Sequence, residues 1–88
     1  MNDRQLVTIG IIVKTYGFEG AVTVKVTAGD TTEPKINEPV FIVIDGIPVP
    51  FFIRDCYYPG GDTMTMAFDD YLTTESVLMF KGCEVKHE

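Results

Sequence analysis

Apolar residues recur at every second position through much of this chain. Val7, Ile9, Ile11 and Val13 share one parity, and Val22, Val24 and Val26 alternate with Thr23, Lys25 and Thr27. A period of two is that of a strand, whose successive side chains point to opposite faces. The two segments are joined by a loop from Lys14 to Gly20, in which Gly17 and Gly20 bracket Phe18 and Glu19. Glycine takes a positive φ without steric cost, so the spacing predicts a hairpin whose tip displays Phe18 and Glu19 together.

Punctuation divides the remainder. The polar stretch Gly29-Asp30-Thr31-Thr32-Glu33-Pro34-Lys35 interrupts the strand pattern and reads as a loop. Val40 to Ile44 then faces Val49 to Cys56 across Asp45-Gly46, a pair suited to the type I′ turn of a tight hairpin. Between Tyr57 and Asp62, Pro59-Gly60-Gly61 must turn the chain, after which Met64, Met66 and Phe68 alternate with Thr65 and Ala67. Thr73 is placed to cap a helix of about two turns reaching Lys81. Glu75 stands in its first turn and Gly82 at its C-terminal end. A brief last strand spans Glu84 to Lys86. Six antiparallel strands with one short helix near the C-terminus predict an all-β fold, a small six-stranded barrel in which closure removes exposed sheet edges.

Size limits the chain to one core: 88 residues, 45% of them hydrophobic, fit a single domain that buries about 60 to 65% of its unfolded surface. No apolar run approaches the roughly 20 residues of a membrane span, and Met1-Asn2-Asp3-Arg4 leads into a strand with no signal-peptide pattern. A cytoplasmic location is therefore expected. Cys56 and Cys83 fit no zinc spacing and are too few to staple a secreted scaffold; they are expected to be reduced, with a single disulfide between them as the alternative.

The residue inventory offers little for catalysis. His87 is the sole histidine and lies next to the end of the chain, where order is usually poor. Ser76 is the sole serine, falls in the predicted helix, and has no base placed beside it. Asp69 and Asp70 supply fewer oxygens than a hard-metal site requires and read as a solvated turn. Gly17-Phe18-Glu19-Gly20 lacks the Lys-Ser or Lys-Thr of a phosphate loop and leads into a strand where a helix is required. No catalytic residue, cofactor or metal ligand is assigned.

Charge bears on partners. Seven Lys plus Arg against thirteen Asp plus Glu leave a net charge of −6. A nucleic-acid module is normally basic, so direct RNA affinity should be weak, whereas a strongly basic protein would be steered toward this surface.

Gly10, Ile12, Lys14, Gly17, Gly20, Val22 and Val24 together resemble the opening of the bacterial ribosome maturation factor RimM family, whose usual form is a glycine, a few residues, then His-Gly-x-x-Gly-Glu-Val. Tyr16 stands where the family has histidine, and Ala21 where it has glutamate. The Asp45-Gly46 hairpin through Ile53 resembles the family's second hairpin. Phe68-Asp69-Asp70 through Gly82-Cys83-Glu84-Val85 resembles its domain end, so the likeness covers almost the whole chain. It implies the six-stranded barrel also found in second domains of translation elongation factors and in some flavin reductases. It further implies a non-catalytic assembly factor that binds the free small (30S) ribosomal subunit, assists maturation of its head and 16S ribosomal RNA processing, and holds small-subunit ribosomal protein nineteen. Contact with ribosomal RNA would be weak or indirect, and the protein a monomer. The family also carries a second barrel of the photoreaction-centre type, for which these 88 residues hold no segment; residues 1–88 are expected to be one N-terminal-like domain, a fragment or an isolated unit.

Candidate partner-binding residues are Lys14, Tyr16, Gly17, Phe18, Glu19 and Gly20 at the first hairpin, because an aromatic on a glycine-shaped loop gives contact area at low entropic cost. The other reading sends Phe18 inward to plug the barrel end. Tyr57 and Tyr58 form a second candidate pair, of which alternation turns one inward. Two rival functions remain open. A small oligonucleotide- or oligosaccharide-binding barrel would use Tyr16, Phe18, Tyr57, Tyr58 and Tyr71 for stacking but lacks a basic groove. A flavin-reductase-type enzyme would need dimerisation and phosphate-binding cations.

Overall fold

The computed structural model describes residues 5–28 and 33–88. The opening Met1-Asn2-Asp3-Arg4 and most of the polar loop expected over residues 29–35 lie outside the described residues.

Six strands form the fold: β1 Val7–Tyr16, β2 Ala21–Val26, β3 Pro39–Ile44, β4 Ile47–Tyr57, β5 Thr63–Phe68 and β6 Glu84–His87. Every pairing is antiparallel, and the strands close into a ring in the order β1-β2-β5-β4-β3-β6. Short β6 is the closing stave, hydrogen-bonded to β1 on one side and β3 on the other, so both would-be edges of the sheet are paired. That pairing also places His87 in a strand opposite Val7 instead of at a frayed end.

The interior follows the alternation on most strands. Val22 and Val24, Val40 and Ile42, Phe51 and Ile53, and Met64, Met66 and Phe68 all enter one buried cluster. On β1 the shared parity of Val7, Ile9, Ile11 and Val13 does not map onto one face. Ile9 and Ile12 are buried, whereas Val7, Ile11 and Val13 face outward. Register shifts between Thr8 and Gly10 and between Ile12 and Lys14 are the cause, because each extra residue flips the side chains that follow. Gly10 sits between the two shifts against the Lys25 carbonyl, where a Cβ has no room.

The Asp45-Gly46 turn has positive φ at both central residues, 52° and 81°, as a type I′ hairpin demands. Near the C-terminus the helical segment is split into one α-turn, α1 Thr74–Val77, and a 3₁₀ turn over Leu78–Phe80. Thr73 caps α1 reciprocally with Ser76: its hydroxyl accepts from the Ser76 amide at 3.2 Å, and the Ser76 hydroxyl lies at 3.4 Å from the Thr73 amide that donates to it. Tightening to three residues per turn brings Val77 and Phe80 to the same side, and both are fully buried. Phe80 stands edge-on to Phe51 with ring centroids 5.1 Å apart, and Tyr71 and Phe68 complete the aromatic cluster. Phe80 is thus the phenylalanine that this end of the chain sends inward.

Candidate functional site

The first hairpin is tighter than its sequence predicts. Strand β1 continues through Lys14 to Tyr16, leaving only Gly17-Phe18-Glu19-Gly20 as the turn. Gly17 and Gly20 have φ of 70° and 84°. Phe18 projects from this turn at 91% exposure, so the inward, plugging alternative does not describe it.

Exposure here does not mean that the turn is unsupported. The Thr74 hydroxyl donates to the Gly17 carbonyl at 3.2 Å, tying one shoulder of the tip to α1. Arg54 Nη2 donates to the Glu19 carbonyl at 3.0 Å, tying the other shoulder to β4. The same guanidinium donates to the Tyr71 carbonyl at 3.4 Å, and its Nε to the Phe68 carbonyl at 3.3 Å. Gly20 lies against the Tyr71 and Leu72 backbone, too close to admit a side chain. Three contacts from three elements therefore fix the tip, and they leave Phe18 outside it.

Register places a groove beside the tip. Val22 and Met66 are paired across β2 and β5 and point into the core, so their neighbours Ala21, Thr23, Thr65 and Ala67 point outward. Lys14 is level with Thr23 on one side of this pair of strands, and Tyr57 is level with Thr65 on the other. Tyr16 opposes Ala21, and Asp55 opposes Ala67. The middle strands thus carry small residues and the outer strands tall ones. The result is a trough with Ala21, Thr65 and Ala67 in its lining, Tyr16 along the β1 side, Asp55 along the β4 side, and Phe18, Glu19 and Arg54 at its end, enclosing about 270 Å³. Thr23 and Ala67 are only 7% and 5% exposed although they face outward, because their taller neighbours shade them.

Of the residues singled out from sequence, Tyr16, Gly17, Phe18 and Glu19 line the trough, Lys14 flanks it in the register, and Tyr57 extends it on the β4 side through a shallow depression shared with Ala21, Asp55, Thr65 and Ala67. Tyr16 and Tyr57 are 58% and 66% exposed. Tyr58 does not join them: it packs against the core, and its hydroxyl donates to the Gly61 carbonyl at 3.0 Å. Gly20 is buried beneath the tip and shapes it. Tyr71 also belongs to the core, edge-on to Phe51. The five aromatics considered for stacking therefore divide into three outward rings and two inward ones. Tyr16 and Ala21, the two departures from the family pattern, stand directly opposite each other in the β1–β2 register.

Arg54, Asp55 and Thr74 were not singled out from the sequence. A lone cation directly after the apolar run Phe51 to Ile53 is the one signal in the sequence that could have marked Arg54. Its role depends on a register shift between Ile53 and Asp55, which releases it from the alternation to reach three carbonyls.

The groups considered for catalysis have other engagements. The Ser76 hydroxyl donates to the Thr73 carbonyl at 2.7 Å within the helix cap. His87 lies by a surface depression with Pro34, Glu38, Pro39 and Glu88. Cys56 and Cys83 are both free thiols. The Cys56 pKa is pushed up to about 12, first by burial and then by the Glu33 and Asp55 carboxylates, with its hydrogen bond to Glu33 acting in the same direction. Among the described residues no three His, Cys, Asp or Glu side chains are grouped to hold a metal ion, and no helix is long and apolar enough to cross a membrane.

Comparison with known proteins gives a consistent result. Residues 7–88 match the family model described as the RimM N-terminal domain. The chain is 29% identical over 85 residues to the ribosome maturation factor RimM of Parabacteroides distasonis, covering 97% of this chain and 49% of that protein. It is 32% identical over 80 residues to that of Flavobacterium psychrophilum, covering 88% of this chain and 44% of the relative. A crystal structure described as a 16S ribosomal RNA processing protein RimM from Pseudomonas aeruginosa shares the fold, with a TM-score of 0.72 at 24% identity over 96% of this chain and 51% of that one. The chain thus spans about half the length of these relatives. With a family model matched over nearly its full length, the chain belongs to the RimM family and carries its N-terminal domain.

Proposed function

We propose that this barrel is a non-catalytic docking domain acting in maturation of the small ribosomal subunit and in 16S ribosomal RNA processing. Its partner would be small-subunit ribosomal protein nineteen on the free subunit, engaged by a single copy of the barrel in the cytoplasm, where subunits assemble. The observation that carries this reading is Phe18, held out from a turn that Arg54 and Thr74 brace from two sides, on a domain of net charge −6. A rigid exposed aromatic is the usual anchor of a protein interface, since it brings area without an ordering cost at the moment of binding. The acidic surface favours a basic protein over a phosphate backbone, which leaves any ribosomal RNA contact weak or indirect. The work proposed for the domain is to hold that protein in place while the surrounding RNA folds, a task that needs no covalent step.

Calorimetric titration with purified small-subunit ribosomal protein nineteen at two salt concentrations tests this. The chain and the full-length Flavobacterium psychrophilum relative would be run side by side. Binding by both, weakening as salt rises, supports the assignment. Binding by the longer protein alone would move recognition off this barrel, and binding by neither would remove the partner.

A further inference from the structure

We infer that the trough between β1 and β4 accepts a lysine or arginine side chain from an extended basic polypeptide segment lying along β2 and β5. The inference deepens the docking reading above and rests on it for the identity of the partner.

The shape comes first. Walls on β1 and β4 and a floor on β2 and β5 make a trough parallel to the strands, so an extended segment fits along it better than across it. The floor methyls of Ala21 and Ala67 offer nothing to a polar group but suit the aliphatic stem of a long cation. Tyr16, Phe18 and Tyr57 present exposed rings around that floor, and a ring face attracts a cation.

Charge decides between a cation and an anion. Glu19 and Asp55 line the trough, and neither has an ion-pair partner among the described residues. Asp69 and Asp70, which follow β5, line a separate depression with Phe52 and Tyr71 and are not part of the trough. Arg54 is the one cation in the lining, and its Nε and Nη2 donors are directed at the carbonyls of Phe68, Glu19 and Tyr71. A phosphate or carboxylate entering the trough would therefore meet two carboxylates with those donors engaged elsewhere, whereas an ammonium or guanidinium would find two acceptors and three aromatic faces. Lys14 and Lys25 stand farther along the same face, level with Thr23 and Thr63, so it is the end lined by Glu19 and Asp55 that selects a basic polypeptide over RNA as the occupant.

The test uses two probes on the intact chain. Small-subunit ribosomal protein nineteen is titrated against the wild type and against Phe18→Ala, Asp55→Asn and the groove-filling Ala21→Leu. Ile47→Ala, in the β3–β4 hairpin away from the trough, serves as control, and the folding of every variant is checked by thermal melting. The inference expects at least a tenfold loss of affinity for the three groove variants and less than a twofold change for the control. Loss confined to Phe18→Ala would overturn the groove assignment and leave the docking reading standing, and equal binding by all would overturn both. The second probe is the peptide acetyl-Lys-Val-Lys-Val-Lys-amide, followed by amide shifts in two-dimensional NMR. Shifts concentrated at Ala21, Thr65 and Ala67 uphold the groove even if the ribosomal protein does not bind, and shifts absent or scattered overturn it. A single-stranded RNA oligonucleotide moving the same amides at lower concentration would also overturn it.

Discussion

The Arg54 guanidinium on β4 donates to the Glu19 carbonyl at 3.0 Å, linking residues 35 positions apart in the chain. Because it also reaches the Phe68 and Tyr71 carbonyls, one side chain joins the β1–β2 tip to the end of β5 and the turn that follows. A charged donor contributes more than a neutral one, and its removal takes this donor from the Glu19 and Tyr71 carbonyls, whereas the Phe68 carbonyl keeps the Tyr71 amide at 3.3 Å. Arg54→Met, which keeps the stem and removes the donors, should cost on the order of 1 to 3 kcal/mol. Chemical denaturation measures that cost. Amide exchange should rise at Glu19 and Gly20 and stay unchanged at the distant Asp45-Gly46 turn.

Two glycines in the first hairpin should respond very differently to alanine. At Gly17 a Cβ meets nothing, so only the positive φ opposes substitution, at about 1 to 2 kcal/mol. At Gly20 the same φ penalty is joined by collision with the Tyr71 carbonyl. Gly20→Ala should therefore be several kcal/mol worse than Gly17→Ala, given the strain of displacing packed backbone. Thermal melting of the two variants gives the ordering, and equal losses would contradict it.

Phe80 tests the closing of the core. It is fully buried and touches the Phe51, Phe68 and Tyr71 rings. Phe80→Ala should cost about 3 to 5 kcal/mol, the range for an aromatic removed from a packed interior. Thr73→Ala, which removes the hydroxyl that caps α1 but no core volume, should cost about 1 kcal/mol. Denaturant midpoints for the two variants should differ accordingly.

Cys56 makes the fold sensitive to alkali. Its thiol is raised from an ordinary value of 9.0 to about 12, so the folded state holds a proton that the unfolded chain releases earlier. Below pH 9 both states are protonated and stability does not depend on this group. Between pH 9 and 12 the unfolded state binds fewer protons, and stability falls as pH rises. Cys56→Ala should remove that part of the alkaline loss, read as melting temperature against pH in the two proteins. Alkylation of Cys56 by iodoacetamide at pH 8 should also be much slower than that of an ordinary thiol, because the thiolate is scarce.

How much the chain reveals without its fold depends on the range over which each property is set. Local rules reach the strands, the Asp45-Gly46 turn, the Thr73 cap and the glycine-bracketed tip, though not which way Phe18 points, since turn chemistry and side-chain alternation act over a few residues. Net charge is likewise a property of sequence, as is the family pattern from Gly10 to Val24. Closure of the ring decided the rest. It placed β2 beside β5, joining two hairpins distant in sequence, and so brought Tyr57 to the same face as Tyr16 and Phe18. The register shift before Asp55 freed Arg54 from alternation, and those on β1 sent Ile12 inward where simple parity would have sent Ile11. A bulge is chosen by how a strand must bend to close a barrel, a global requirement that no short window of sequence contains.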